Sequence, residues 1–238
     1  MDLKESALLG DGAPQHWYYR SKAAALCRYI GDSEISRVLD VGAGSGFFTK
    51  HLLQHTNTHA GFCVDTGYSC DKDEKYFGKP LQFRRSCSSV DSDLVLLMDV
   101  LEHVTDDHGL IVEYADKVPV GARFIITVPA FQQLWSDHDV FLEHYRRYNI
   151  QQLERLVRST GLRVERSSYY FALVFPIAGV LRLFKSLSMK TGQPPQSNLK
   201  QHSRLVNALL SFTCRVELPV FPANRLMGLS VFCLARKD

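Results

Sequence analysis

The residues with the clearest chemical meaning lie between positions 37 and 48, where glycines alternate with other residues directly after a short apolar run. The run ends at Asp40, and Gly42, Gly44 and Gly46 follow before an amphipathic segment begins. This order predicts a buried strand, a tight turn and the start of a helix. Glycine lets the backbone approach a ligand closely, and the first amides of a helix face outward. The segment therefore predicts a site for a nucleotide-like cofactor.

The glycine spacing distinguishes between kinds of nucleotide site. In the dinucleotide-binding fingerprint the third glycine comes three positions after the second, and Phe47 stands there instead. The turn also lacks the Gly-Lys-Ser/Thr ending of a phosphate-binding loop. Its Asp-x-Gly-x-Gly-x-Gly sequence resembles motif I of the class I methyltransferases that use S-adenosylmethionine. The resemblance implies that the following residues bind this cofactor: Asp40, Gly42, Ala43, Gly44 and Gly46.

Two later segments support the same interpretation. The apolar run over residues 60–65 ends in Asp65, at roughly the twenty-residue interval of a mononucleotide-binding half. A carboxylate there can accept both hydroxyl hydrogens of a ribose. Residues 93–104 form another apolar run and closely resemble the Asp-Val-Leu-Glu-His-Val segment of the same superfamily. In that family this segment lines the methionine and adenine end of the cofactor, which implies contacts from Asp99 and Val100.

These matches, with a further strand at residues 121–129, predict an α/β fold. The expected architecture is a doubly wound, Rossmann-like, seven-stranded methyltransferase sheet. Predicted strands at residues 162–170 and 229–235 resemble the closing reversed hairpin of that family. The connection between them is long for one compact domain. It therefore predicts a helical insertion.

The sequence divides into three parts on this interpretation. We expect an N-terminal helical cap over residues 1–36. The methyltransferase domain would comprise residues 37–170 and 217–238. Residues 171–216 would form the helical insertion or lid.

The N-terminal part contains the aromatic sequence His-Trp-Tyr-Tyr-Arg-Ser-Lys at residues 16–22. It resembles a His-Trp-Trp-Phe-x-x-Arg helix of one methyltransferase subgroup, which folds over the cofactor. The resemblance implies that Tyr18 or Arg20 meets the methionine carboxylate. Lys22 replaces the family's second arginine, so this correspondence depends mainly on Arg20. A helix that is merely held to the domain by its aromatic residues is the alternative.

The segment after Pro129 predicts the acceptor site. Residues 129–148 resemble the Pro-Ala-Phe-x-x-Leu-Trp-Ser-x-His-Asp…His-x-Arg-Arg-Tyr pattern of a bacterial group of type 11/12 methyltransferases, which is frequently associated with cell-surface polysaccharide or lipid-linked sugar pathways. A histidine is the usual general base near neutral pH. His103, His138 and His144 are the candidates, and we favour the two loop histidines because His103 belongs to the shared segment. A purely structural role for the loop is the alternative.

The predicted insertion is basic and apolar. No Asp or Glu occurs between residues 167 and 216, and two amphipathic helices are predicted, one after Pro176 and one around Leu205, Leu209 and Phe212. Apolar faces with basic margins suit peripheral contact with an anionic membrane. The apolar run near residue 176 is too short to cross a bilayer. A lid with solvated basic residues is the alternative, and both roles are compatible.

Length, charge and cysteine content indicate what kind of protein this is. A chain of 238 residues with 45% hydrophobic residues can bury the core of one α/β domain. A net charge of +3 does not by itself indicate a nucleic-acid partner, and we expect none. The six cysteines lack metal-ligand spacing, so we expect no metal site. The charged N-terminus has no signal-peptide core. We expect a cytoplasmic protein, with peripheral contact at the inner membrane face as an option.

These observations predict an S-adenosylmethionine-dependent methyltransferase that acts on a small-molecule or lipid-linked acceptor. We favour O-methylation of a sugar or of another amphipathic molecule. A quinone-precursor O-methyltransferase is a second reading, because the Leu-Glu-His-Val segment also occurs in such enzymes. A catalytically silent, cofactor-binding subunit of a glycan-assembly complex is a third. The sequence leaves the acceptor open.

Overall fold

The computed structural model describes residues 14–179 and 203–238, and eight strands of this part form one sheet. The strands in chain order are β1 (Arg37–Val41), β2 (Ala60–Val64), β3 (Lys72–Tyr76), β4 (Lys79–Arg84), β5 (Leu94–Met98), β6 (Arg123–Pro129), β7 (Arg163–Tyr170) and β8 (Ser230–Arg236). Their order across the sheet is β3-β4-β2-β1-β5-β6-β8-β7. The central pairs from β4 to β6 are parallel, whereas β8 runs antiparallel to both β6 and β7. The predicted doubly wound α/β fold is confirmed.

The strand order explains where a ligand would bind. After β1 the chain moves outward through β2 to β4, and it then returns to place β5 on the other side of β1. In open α/β sheets, ligands bind at the carboxyl ends of the strands where the order reverses. In this fold that point is the edge formed by the ends of β1 and β5.

The strand that the sequence analysis missed is β3, so the described sheet has eight strands rather than seven. It pairs antiparallel with β4 through a turn in which Phe77 and Gly78 have φ values of 51° and 75°. Positive φ at both central residues is the geometry of a tight β-hairpin turn. The strand itself is charged and mostly exposed, so it lacks the apolar alternation that identifies strands in a sequence.

Helices cover both faces of the sheet. They are α1 (Trp17–Ile30), α2 (Phe47–His55), α3 (Asp107–Asp116), α4 (Asp137–Phe141), α5 (Ile150–Ser159) and α6 (Arg204–Glu217). Successive residues of a strand point to opposite faces, so Leu94 and Leu96 pack on the α1 side while Val95 and Leu97 pack on the α3 and α5 side. Since both faces of β5 are buried, it is a continuous apolar run, as predicted.

The helix predicted around Leu205 is confirmed as α6, which packs against α1. Asn207 joins the two helices, because its Oδ1 accepts the backbone N–H of Trp17 at 2.8 Å. Glu217 accepts the backbone N–H of Ala172 at 2.8 Å and thereby joins α6 to the end of β7. Most of the helix predicted after Pro176 falls on residues 180–202, outside the described residues. In the described ranges, none of the helices is long and apolar enough to cross a membrane.

Candidate functional site

The glycine turn after β1 has the backbone geometry that its sequence predicts. The φ values of Gly42, Gly44 and Gly46 are 64°, 52° and 69°. Residues other than glycine rarely adopt such positive φ values. A Cβ placed on Gly42 would lie 2.8 Å from a methyl carbon of Val100. Glycine is therefore required at position 42 both by the dihedral angle and by the close approach of Val100. The two residues meet where the paired strands β1 and β5 end.

Asp65, the residue after β2, lies against the same turn. Its Oδ2 accepts the backbone N–H of Gly44 at 2.8 Å, and its Oδ1 accepts that of Gly67 at 2.8 Å. Tyr68 donates its hydroxyl hydrogen to the Gly44 carbonyl at 2.7 Å. The two amides fix the half-buried carboxylate at the carboxyl edge of the sheet. A carboxylate held there suits a ligand with two neighbouring hydroxyl groups.

Two residues of the motif are enclosed by protein. Asp40 is buried and accepts the hydroxyl hydrogen of Thr49 at 2.8 Å, which connects β1 to α2. Burial raises the pKa of Asp40 to about 6. Ala43 is also buried, and its amide donates to the Val64 carbonyl at 3.1 Å. These contacts give both residues a part in shaping the turn, and direct contact with a cofactor remains a prediction.

Asp99 is the centre of a polar cluster at the end of β5. Its backbone has a φ of 58°, and its carboxylate accepts hydrogen bonds from Tyr18 and Thr127, each at 3.1 Å. The buried ammonium group of Lys22 forms an ion pair with the same carboxylate and also donates to the Tyr18 hydroxyl at 3.1 Å. Burial would raise the pKa of Asp99, but the charge of Lys22 lowers it below its ordinary value. The cluster holds α1 next to the glycine turn.

Arg20 lies elsewhere on α1. It is two positions from both Tyr18 and Lys22, so it points to the other side of the helix. There it is exposed and lines a cavity of about 410 Å³ together with Lys50 and Arg215. Contact of Arg20 with the methionine carboxylate stays a prediction, and the structure adds Lys22 through its ion pair with Asp99. In the sequence, Lys22 stands in place of the family's second arginine, and it lies four positions, about one helical turn, after Tyr18.

The segment after β6 is organised around Asp139, which lies in α4 and is fully buried. Arg147 binds both carboxylate oxygens, at 2.6 and 3.0 Å, and Nδ1 of His144 lies 3.0 Å from Oδ1. Burial would raise the pKa of Asp139, but the hydrogen bonds from His144 and Arg147 lower it well below its ordinary value. The carboxylate is therefore ionised and fixes the orientation of the His144 ring. Neither Asp139 nor Arg147 was among the site residues predicted from the sequence.

The structure brings the three candidate histidines together. The ring of His144 lies 4.6 Å from that of His103 and 6.5 Å from that of His138, measured between centroids. The backbone N–H of Tyr145 donates to the Glu102 carbonyl at 2.7 Å, which fixes this loop to the segment after β5. Burial, and then the neighbouring Asp99, raise the pKa of the Glu102 carboxyl well above its ordinary value. Glu102 was not among the site residues predicted from the sequence, because nothing in its sequence context indicates that its side chain is buried.

Comparison with known proteins agrees with this geometry. Residues 15–167 match the family model described as a methyltransferase domain. The sequence matches no curated protein. An S-adenosylmethionine-dependent methyltransferase from Archaeoglobus fulgidus is 17% identical, with a TM-score of 0.55, and the alignment covers 99% of this chain and 98% of that one. A chain of the complex between the Haloferax volcanii Trm112 methyltransferase activator and a methyltransferase is 17% identical, with a TM-score of 0.56 and coverage of 95% and 91%.

A third similar structure is Haemonchus contortus phosphoethanolamine N-methyltransferase 2 in complex with S-adenosyl-L-methionine. It is 16% identical, with a TM-score of 0.51, and the alignment covers 92% of this chain and 52% of that one. At such identities, likeness between structures shows a shared fold. The match of the family model covers the glycine turn, Asp65 and Asp99, together with all three candidate histidines.

Proposed function

The chain belongs to the methyltransferase domain family and is an S-adenosylmethionine-dependent enzyme, and we propose that it methylates an oxygen of a sugar or of a lipid-linked, amphipathic acceptor. The observation that carries this proposal is the cluster of three histidines, His103, His138 and His144, beside the glycine turn. His103 follows β5 and His144 follows β6, and these two strands are neighbours in the sheet. An acceptor bound at that edge would lie between the histidines and the cofactor.

The donor set at the glycine turn fits S-adenosylmethionine. Asp65 is positioned by two backbone amides to accept the ribose hydroxyl hydrogens. Asp99 and Tyr18, held together by Lys22, would lie at the methionine end. When bound, the cofactor supplies an electrophilic methyl group. The protein must then hold the acceptor oxygen in line with that methyl group, since positioning alone can supply several kcal/mol of the barrier.

The second task of the protein is to remove the proton of an acceptor hydroxyl. As the new oxygen–methyl bond forms and the sulfur–methyl bond breaks, the hydroxyl proton must pass to a base. We assign this role to His138, which lies in α4, or to His144, which follows that helix. Such a base contributes typically 10²–10⁴-fold to the rate. In His144, Asp139 fixes the ring and would stabilise its protonated form.

The surface of α6 supports an amphipathic acceptor at a membrane. Leu205, Leu209, Phe212 and Val216 repeat at helical spacing, and each is more than half exposed. Exposed apolar stripes of this kind mark interaction surfaces. Since the sequence from residue 167 to 216 is basic and contains no acid, we propose that this stripe contacts an anionic membrane surface. The lid role of the insertion is compatible with that contact.

Radioactive methyl transfer into a cell-envelope extract tests the acceptor. Purified protein and labelled S-adenosylmethionine are incubated with the extract, which is then separated into lipid, polysaccharide and quinone fractions. We expect label in the lipid or polysaccharide fraction, and less label at a limiting cofactor concentration when Asp65→Ala replaces the wild type. Label in quinone precursors would instead support a quinone-precursor O-methyltransferase. Binding of S-adenosylhomocysteine without any transfer would support a catalytically silent subunit.

Vesicle flotation tests the membrane contact. The wild type should float with anionic vesicles at low salt and be released at high salt, because exposed charges are screened. The double variant Leu209→Asp/Phe212→Asp should not float. Val120→Asp is the matched control, since Val120 is equally exposed but precedes β6 at the opposite edge of the sheet. Equal flotation on neutral and anionic vesicles, or no flotation at all, would contradict the membrane contact. The lid would then be the remaining role of the insertion.

A further inference from the structure

Glu102, His103 and His144 form a cluster whose composition suits a metal ion. One potential ligand atom from each residue lies within 4.8 Å of the other two. The cluster joins two segments that are far apart in sequence: the turn Leu101–His103 after β5 and the loop that follows α4. Its three ligands would leave at least one coordination position open, as in catalytic zinc sites.

The burial of Glu102 is the second observation that points to a ligand. The residue is 1% exposed, and within the described ranges its Oε2 has no hydrogen-bond partner. A buried polar atom without a partner costs free energy, so such atoms are rare in folded proteins. A cation between Glu102 and the two imidazole rings would provide the missing partner.

The surroundings of His144 resemble the outer shell of a metal site. Nδ1 of His144 faces Asp139 at 3.0 Å, and Arg147 holds that carboxylate through both of its oxygens. A histidine that binds a metal through one ring nitrogen usually contacts a carboxylate or carbonyl through the other. This arrangement leaves Nε2 of His144 as the nitrogen for a metal.

We infer that Glu102, His103 and His144 bind a divalent transition-metal ion such as Zn²⁺ or Mn²⁺. Imidazole favours zinc and other transition metals, and two histidines with one carboxylate are a recurrent donor set for such ions. No metal was expected from the sequence because the six cysteines lack metal-ligand spacing. Here the ligands meet through the pairing of β5 with β6 and through the hydrogen bond from the Tyr145 backbone to the Glu102 carbonyl.

The inference rests on the proposed function for its chemical role, although metal binding itself does not. A divalent ion at this place would bind the acceptor hydroxyl and lower its pKa. His144 would then be a ligand, and the hydroxyl proton would pass to His138, whose ring centroid is 6.5 Å from that of His144. The site therefore assigns different roles to the two loop histidines.

Titration with Co²⁺ tests the site without cofactor or acceptor. Protein treated with a chelator is titrated with Co²⁺, and the visible absorption of the bound ion is recorded. The wild type should bind one ion per chain, and Zn²⁺ should displace it. Glu102→Gln and His144→Ala should each weaken binding at least about tenfold, as expected from the loss of a ligand.

Two matched controls accompany these variants. Glu113→Gln and His108→Ala make the same chemical changes at exposed positions outside the cluster, and they should bind Co²⁺ like the wild type. Thermal midpoints show whether each variant is folded, and Zn²⁺ should raise the thermal unfolding midpoint of the wild type and leave the midpoints of the two ligand variants unchanged.

Two results would overturn the inference: no stoichiometric Co²⁺ binding by the wild type, or unchanged affinity in both ligand variants. Neither result bears on methyl transfer into an envelope extract. Conversely, metal binding without any methyl transfer would contradict the proposed function and leave the metal site in place.

Discussion

The ion pair between Lys22 and Asp99 provides a prediction whose magnitude follows from burial. The Lys22 side chain is 0% exposed, and that of Asp99 is 27% exposed. Removing one partner of a buried pair destabilises a protein by about 3–5 kcal/mol, because the other charge remains without compensation. Since water reaches part of Asp99, we expect Lys22→Met to lower the free energy of unfolding by about 2–4 kcal/mol. Met keeps the length and apolar contacts of the lysine side chain.

Urea denaturation measures this loss and allows a double-mutant cycle. Asp99→Asn in the Lys22→Met background should recover part of the stability, because the uncompensated charge is then removed. Lys117→Met is the matched control. Its pair with Glu113 is partly exposed, so the expected loss is at most about 1 kcal/mol. Lys22→Met should also weaken binding of S-adenosylhomocysteine, because the pair holds α1 beside the glycine turn, where we propose that the cofactor binds.

Three results would refute this reasoning. One is a loss in Lys22→Met no larger than that in Lys117→Met. Another is strict additivity of the Lys22 and Asp99 substitutions, which would mean that the two side chains do not interact. The third is unchanged affinity for S-adenosylhomocysteine in a folded Lys22→Met protein, which would separate the ion pair from the cofactor site.

Three further predictions concern the site. Asp65→Ala should weaken binding of S-adenosylhomocysteine by about 1.5–3 kcal/mol in calorimetry, as for hydrogen bonds to a charged group, and unchanged affinity would exclude the proposed ribose contact. The raised pKa of Asp40 contributes stability that is present below pH 3.8 and is lost as the pH rises through about 6. Urea midpoints of Asp40→Asn should lack this decline, and the same pH dependence as in the wild type would contradict the assignment. Replacing His138 or His144 by Ala should reduce methyl transfer about 10²–10⁴-fold with little change in cofactor affinity, and full activity in both variants would remove them from the mechanism.

Much of the sheet could be predicted because the relevant information is local. The strands β1, β2, β5 and β6 are buried apolar runs, and each is followed by a polar or glycine-containing turn. Gly161, with a φ of 84°, follows the end of α5, where a glycine in this conformation commonly terminates a helix. In contrast, β3 depends on its turn and on pairing with β4, and neither leaves an apolar pattern in its own residues.

The candidate site was predictable only in part, because only some of its contacts follow from local sequence. Asp65 and the glycines follow strand ends, so their proximity follows from the order of the strands. The partners of buried charges depend on packing between distant elements. Lys22 reaches Asp99 from α1, and Arg147 reaches Asp139 across the loop. The sequence contains no local indication of either pair.

Titration of the wild-type protein with S-adenosylmethionine and with NAD tests the central claim most directly. The glycine turn, Asp65 and the absence of the dinucleotide spacing predict one saturable site per chain for S-adenosylmethionine. S-adenosylhomocysteine should compete for that site, and NAD should produce no binding heat. Saturable binding of NAD, or no binding of S-adenosylmethionine by the folded protein, would contradict the assignment of this edge of the sheet.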